Sequence, residues 1–347
     1  MAAQRSGIPV CGVDLNPVAG LFSHVKVKGF SATEAKRLAN ALILAARRTR
    51  RPLPVQWPMK RYWFTPTTLE KFERLRAASI DLRLTNSEEG MAVLLSLSLA
   101  VRLCSKADQR SPKPFISRSA RESRNGRHFD PYLEVQRVLD QLGKLYGSPR
   151  VHNGSRFCLA DVAVDASIAS RIGRHSHIIT SPPYINAQDY FRNFKLELYV
   201  LEGILPFGTE QLRDRFIGTE RGDLLAGVPG DVIERNYDVL PQLKTLARKL
   251  PRLGAVVHRY LHDMGRAFDN LKACLEPKGR LVVVCGDNLI GGIRVPTWKL
   301  LRGMLEDRGF KLFDLFADRI EDRMLPPKRC GHKGLIKQEV VCAFRLI

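Results

Sequence analysis

The sequence predicts an α/β protein in which a mostly parallel sheet is interrupted by helical insertions. Three observations carry this. Short apolar runs that each stop at a polar residue stand at 156–160, 176–180 and 280–285. Helix-length segments separate them, as crossovers between parallel strands require. Towards the end the chain changes character: two β-like runs at 311–320 and 339–345 are joined by a connection rich in Pro, Gly and Lys, which predicts an antiparallel pair at the sheet edge.

Taken in order, a β-type run at 9–13 ends at Asp14, and helix-compatible spacing follows over 18–27. From 30 to 145 the pattern is mainly helical, with helices expected at 32–48, 66–78, 88–104 and 131–146. Between the last two, 105–128 is rich in Ser, Arg, Lys and Gly, with Phe115 and Ile116 its only large apolar residues, and reads as an exposed loop. The run Leu281-Val282-Val283-Val284 is apolar on both faces, as in a strand covered on both sides. Gly and Pro breakers with several charges mark 203–254 as a further insertion.

The chain has 347 residues, 44% hydrophobic and 26% charged, enough for one large or two ordinary domains with a substantial core. Fifty-six Lys and Arg against 35 Asp and Glu give a formal charge of +21, an excess that makes nucleic acid the first candidate partner. The seven cysteines form no CxxC pair and mostly lie in apolar runs, so they read as thiols in a reducing compartment, and a cytoplasmic location is expected. No metal site is expected, because His258 and His262 share a helical face without a third ligand nearby. The most apolar stretch, 91–101, is too short to cross a bilayer.

The sharpest chemical signal is His177-Ile178-Ile179-Thr180-Ser181-Pro182-Pro183-Tyr184, an apolar strand running into a hydroxyl residue, two prolines and an aromatic. Prolines fix φ and cannot donate, so carbonyls here are free to accept from a ligand. An exocyclic amino group needs such acceptors: holding its two N–H bonds favours the pyramidal form whose lone pair attacks a methyl group. The tyrosine ring offers a face on which an extruded base stacks. This run resembles motif IV of the DNA amino-methyltransferases, and its serine form is typical of the cytosine-N4 enzymes. The resemblance implies a Rossmann-like class I methyltransferase sheet, S-adenosylmethionine as methyl donor, double-stranded DNA with base flipping as substrate, and catalysis by Ser181, Pro182, Pro183 and Tyr184. The continuation Asn186-Ala187-Gln188-Asp189-Tyr190-Phe191-Arg192 also looks like family sequence and by resemblance helps close the base pocket.

Upstream, Gly12-Val13-Asp14-Leu15-Asn16-Pro17 is similar to the family's motif II, in which an acid at a strand tip accepts from the cofactor ribose hydroxyls. Alone, Asp-Leu-Asn-Pro is equally an ordinary turn with an N-cap. Asp161 stands where motif III carries the acid that contacts the adenine amino group, although a strand-ending Asp is commonplace. The resemblance thus implies Asp14, Asn16, Asp161 and Thr180 as cofactor-binding residues. The segment 275–284 resembles the helix, Pro-Gly turn and fifth strand of these enzymes, with Gly286-Asp287-Asn288 at the tip. Residues 320–344, with Arg323, Pro326, Pro327, Arg329, Gly334 and Glu339, look like the closing hairpin, whose basic connection either touches DNA or is a solvated loop. Methylation at cytosine carbon-5 would need a cysteine nucleophile, usually presented as Pro-Cys, and no cysteine here follows a proline.

The family's motif I, a first strand with a Gly-rich turn, should stand roughly thirty residues before Asp14. Only 13 residues precede Asp14. In that family the first strand lies between the ones matched by the strand ending at Asp14 and the strand ending at Ser181. The expectation is therefore a core lacking this strand, with a complementing N-terminal polypeptide or a longer reading frame as its partner. The organisation expected is 1–30 as the start of the core, 31–130 as a helical insertion with the Arg-rich loop, 131–202 as core with motifs III and IV, 203–254 as an insertion for target recognition, and 255–347 as core with the closing hairpin. Adenine N6, a tRNA guanine amino group, and an inert nucleic-acid-binding remnant are the rival readings.

Overall fold

The computed structural model describes all residues except 1–2, 4–5, 112, 119–128, 148–153, 186–189 and 321–337. The loop arginines Arg121, Arg124 and Arg127, the 186–189 continuation and the hairpin residues Arg323 to Gly334 lie outside the described residues.

Strand β1 (Cys11–Asp14) leads into α1 (Pro17–Lys28), then α2 (Ala32–Arg48), the short α3 (Lys60–Trp63), α4 (Pro66–Asp81), α5 (Glu88–Cys104) and α6 (Pro131–Tyr146). There follow β2 (Arg156–Leu159), α7 (Ile168–Ile172), β3 (His175–Thr180), α8 (Tyr190–Leu201) and α9 (Thr209–Arg213). The remainder is α10 (Gly230–Val239), α11 (Gln242–Lys249), α12 (Pro251–Ala273), β4 (Leu275–Cys285), β5 (Asn288–Ile290), β6 (Ile293–Val295), α13 (Thr297–Glu306), β7 (Phe310–Arg319) and β8 (Gln338–Leu346). Helices α2 and α5 start and stop where the sequence places them. The reason is local: Ser31 and Ser87 accept from the backbone N–H groups of Glu34 and Gly90, and Glu34, Glu88 and Glu89 complement the positive end of each dipole. No helix among the described residues is long and apolar enough to cross a membrane.

The chain divides into two units, Met1–Leu159 with Tyr190–Arg213, and Ala160–Asp189 with Asp214–Ile347. The first is a helical body carrying a two-stranded parallel sheet, β1 beside β2. Glycine makes this pairing compact. The Phe157 ring lies 3.1 Å from where a Cβ on Gly12 would stand and 2.9 Å from one on Gly20, so larger residues would force β1 and α1 off the ring. Helix α8 joins this unit through an aromatic stack: Tyr199 lies 4.4 Å from Trp57 with the planes 5° apart, and Lys195 sits 4.4 Å over the Trp63 ring.

The second unit contains a four-stranded mixed sheet of order β3-β4-β8-β7, with β3 and β4 parallel and the rest antiparallel. The expected antiparallel pair is β7 and β8; β7 takes the edge, while β8 lies inside the sheet. Strand β4 differs from expectation because it begins at Leu275, so the Pro277-Lys278-Gly279 segment lies within it rather than forming a turn before it. Between the pairs His175–Leu275 and His177–Arg280 the β4 chain advances five residues against two on β3, and Lys278 takes φ +61° to absorb the excess. The sheet is also covered unequally. Leu281, Val283 and Cys285 are buried with Tyr260, Phe268 and Leu301 from α12 and α13, whereas Val282 and Val284 are half-buried. The all-apolar run led to an expectation of equal cover, but helix packing gives full burial to only one face.

Two of the sheets leave an edge open beside the strands of interest. β1 pairs only with β2, and β3 only with β4, among the described residues. On β3, Ile179, next to the strand's last residue, is 76% exposed.

Candidate functional site

The candidate site is built at the carboxyl end of β3. Thr180 closes the strand opposite Val283, after which Ser181 is exposed, Pro182 buried, and Pro183 and Tyr184 half-buried. With no N–H at two successive residues, this segment cannot extend the ladder, and the chain turns away. Among the described residues the carbonyls of Ser181 and Pro182 have no hydrogen-bond partner. Two acceptors therefore stand beside an aromatic ring at a strand end.

Two strands of the same unit, β8 and β5, hold this turn, and a glycine lies against it. The Tyr184 hydroxyl donates to the Glu339 carboxylate on β8. Asn288 at the start of β5 donates its side-chain N–H to the Ile185 carbonyl at 3.0 Å and accepts from the Thr297 hydroxyl at 2.8 Å. Both Asn288 and Thr297 are buried, so this is a satisfied polar link within the core. Gly218 adopts φ +83°, and a Cβ there would stand 3.1 Å from the Tyr184 carbonyl oxygen. The positive φ favours glycine here, and a side chain would also press on that oxygen. The sequence marks Asn288 and Glu339 only as members of a strand tip and a hairpin; nothing in it signals their partners, and Gly218 and Thr297 carry no motif at all.

Asp161 belongs to this second unit. Its carboxylate is buried, and both oxygens are engaged, one by Arg215 Nε at 3.0 Å and the other by the Ala163 N–H at 3.1 Å. That arrangement closes the turn after β2 and leaves the Arg215 ion pair as its main external contact.

The remaining predicted residues lie in the first unit. Asp14 is exposed at the end of β1, where its Oδ1 accepts from the Asn16 N–H at 2.8 Å. Crowding by protein atoms pushes its carboxyl upward, partly countered by the N–H groups of Asn16 and Leu15. The fold brings Tyr190 to Asp14: burial raises the Tyr190 phenol, and the Asp14 charge raises it further. The Asn16 side chain is buried and accepts from the Val18 N–H at 3.0 Å, capping α1. It is thereby a structural cap, and Asp14 is the residue of the pair whose side chain reaches solvent. Among the described residues no group of three His, Cys, Asp or Glu side chains is placed to hold a metal ion.

In comparisons with known proteins, the sequence matches no family model and no curated protein.

Proposed function

We propose that this chain is the core of an S-adenosylmethionine-dependent DNA methyltransferase acting on an exocyclic base amino group, with cytosine N4 as the target. The observation that carries the reading is the Ser181-Pro182-Pro183-Tyr184 turn, in which two carbonyls lack a partner among the described residues, the Tyr184 hydroxyl is held by Glu339 and the following Ile185 carbonyl by Asn288. Rigidity is what such a site needs, since acceptors aimed at a developing charge act best when they do not reorganise.

In this reading the extruded base stacks on Tyr184, whose hydroxyl is anchored by Glu339 so that the ring keeps one orientation. The carbonyls of Ser181 and Pro182 accept from the two amino hydrogens and draw the nitrogen lone pair out of conjugation. The exposed Asp14 carboxylate, with one oxygen held by the Asn16 N–H, suits a pair of vicinal ribose hydroxyls. When bound, the cofactor supplies a methyl group on a sulfonium. The family's Gly-rich turn has no counterpart among the described residues beside β1 or β3. This reading therefore assigns it to a complementing N-terminal polypeptide or a longer reading frame. A cytoplasmic location accords with this role.

The test is methyl transfer from labelled S-adenosylmethionine to duplex DNA, with and without a co-expressed strand, Gly-rich turn and helix, followed by mass spectrometry of the nucleosides. N4-methylcytosine supports the reading. N6-methyladenine, or methylation of a guanine when tRNA replaces the duplex, moves the target and keeps the chemistry. DNA binding without cofactor binding under either condition leaves an inert remnant and refutes the proposal.

A further inference from the structure

We infer that a basic groove in the first unit, formed where α2 ends beside α4, docks the phosphodiester backbone of duplex DNA. The inference rests on the proposed function only for the identity of the partner. Between Glu34 and Glu70 the sequence holds eight Lys or Arg and no Asp or Glu. The fold gathers three of these, Arg48, Arg50 and Arg51, on exposed backbone at the end of α2. Among the described residues none of the three has a hydrogen-bond or ion-pair partner. Other arginines differ: Arg110, Arg171 and Arg308 each bind a carboxylate. A cluster of unneutralised guanidinium groups is self-repelling and best accounted for by an anionic partner.

The groove has a volume of about 610 Å³, with Arg50 and Arg51 on its lip and Pro52, Leu53 and Ile80 among the residues that line it. Guanidinium forks take phosphate oxygens, and an apolar floor takes the sugar between them. The lip is rigid. Arg74 binds the Thr49 carbonyl at 2.9 Å, the Leu53 N–H binds the Glu73 carbonyl at 3.0 Å, and Arg76 binds the Pro54 carbonyl at 2.8 Å. Pro52 and Pro54 restrict the backbone further. A surface fixed in advance loses little entropy on binding. Asp81, the one carboxylate among the described residues that line the groove, opposes a phosphate and supplies a test of opposite sign.

Affinity for a fluorescein-labelled duplex of about 20 base pairs, read by anisotropy on the full chain without cofactor, decides the matter. Each phosphate contact adds about 0.9 to the slope of log affinity against log salt, so losing two removes about 1.8 and weakens binding roughly 30-fold at about 0.15 M salt. R50A/R51A is expected to show both effects, and D81N to bind several-fold tighter. The control K36A/R37A removes two exposed charges of α2 that already pair with Asp140 and Glu34, and is expected to leave both quantities nearly unchanged. Parental affinity and slope in both R50A/R51A and D81N overturn the inference, as does an equal loss in the control. Binding that depends on the groove in a chain that methylates no base under any condition leaves the groove standing while the proposed chemistry falls.

Discussion

Replacing Asn288 by alanine tests whether the turn after β3 is held from the core. Asn288 is 5% exposed and links the Ile185 carbonyl to the Thr297 hydroxyl. The two ends of this link respond differently. The Thr297 hydroxyl retains a second acceptor, the Val295 carbonyl at 3.3 Å, so its loss is small. Ile185 is only 1% exposed, so its carbonyl is left without a partner and away from water. An orphaned buried acceptor costs about 1–3 kcal/mol, and the lost hydroxyl bond adds about 0.5–1.5 kcal/mol. The expected destabilisation is therefore about 1.5–4.5 kcal/mol, reduced towards the lower end where a water enters the space. Asn288→Asp should do no better, because it keeps an acceptor for Thr297 but presents a second oxygen to the Ile185 carbonyl. Hydrogen exchange localises the effect: amides around Tyr184 and Ile185 should lose protection, while those of α5 stay as they were. Leu289→Ala, at a side chain 51% exposed, is the control. A loss below about 0.5 kcal/mol in urea unfolding, with unchanged exchange at the turn, would show that Asn288 does not hold it.

Three further outcomes are expected. Gly218→Ala must place a Cβ at φ +83° and 3.1 Å from the Tyr184 carbonyl oxygen, so it should lower stability by about 1–2 kcal/mol from the backbone alone, visible as a fall in Tm. Tyr184→Ala should cut methyl transfer strongly while barely changing DNA affinity, whereas Tyr184→Phe and Glu339→Ala should cause smaller losses that do not add in the double variant; additive losses would mean the pair does not act as a unit. Glu197 on α8 is fully buried, which raises its carboxyl from 4.5 to about 7 against the opposing pull of a backbone hydrogen bond and of Arg102. The folded state thus keeps a proton that the unfolded chain gives up first, so this group's contribution is favourable in acid and is lost as the pH rises from 4.5 through about 7. Glu197→Gln removes the dependence, and its stability advantage over the parent should grow by on the order of 3 kcal/mol from acid to mildly alkaline pH; parallel pH profiles for the two proteins would refute this.

What the sequence determines here is what depends on neighbours along the chain. The helix limits at Ser31 and Ser87 follow from caps and charges within one turn. The strand ending at Thr180 follows from His175 to Ile179 meeting two prolines, and the chemistry of that turn follows from prolines that cannot donate. The pairing of β7 with β8 was legible because both runs are long and β-like. The tertiary structure decides what depends on residues far apart. Tyr184 meets Glu339 across 155 positions, and Asn288 reaches Ile185 across 103, pairings no local pattern encodes. Helix α8 joins the first unit because Tyr199 stacks on Trp57, although its sequence follows directly on the turn in the second. Asn16, read from the sequence beside Asp14, is removed from solvent by the helix it caps. A run of valines gives no sign of which face the helices will cover, since both faces are equally apolar until α12 and α13 pack on one. Side-chain type and short-range spacing therefore decide which elements form and where they end. Burial, and the partners burial demands, decide which residues become a site.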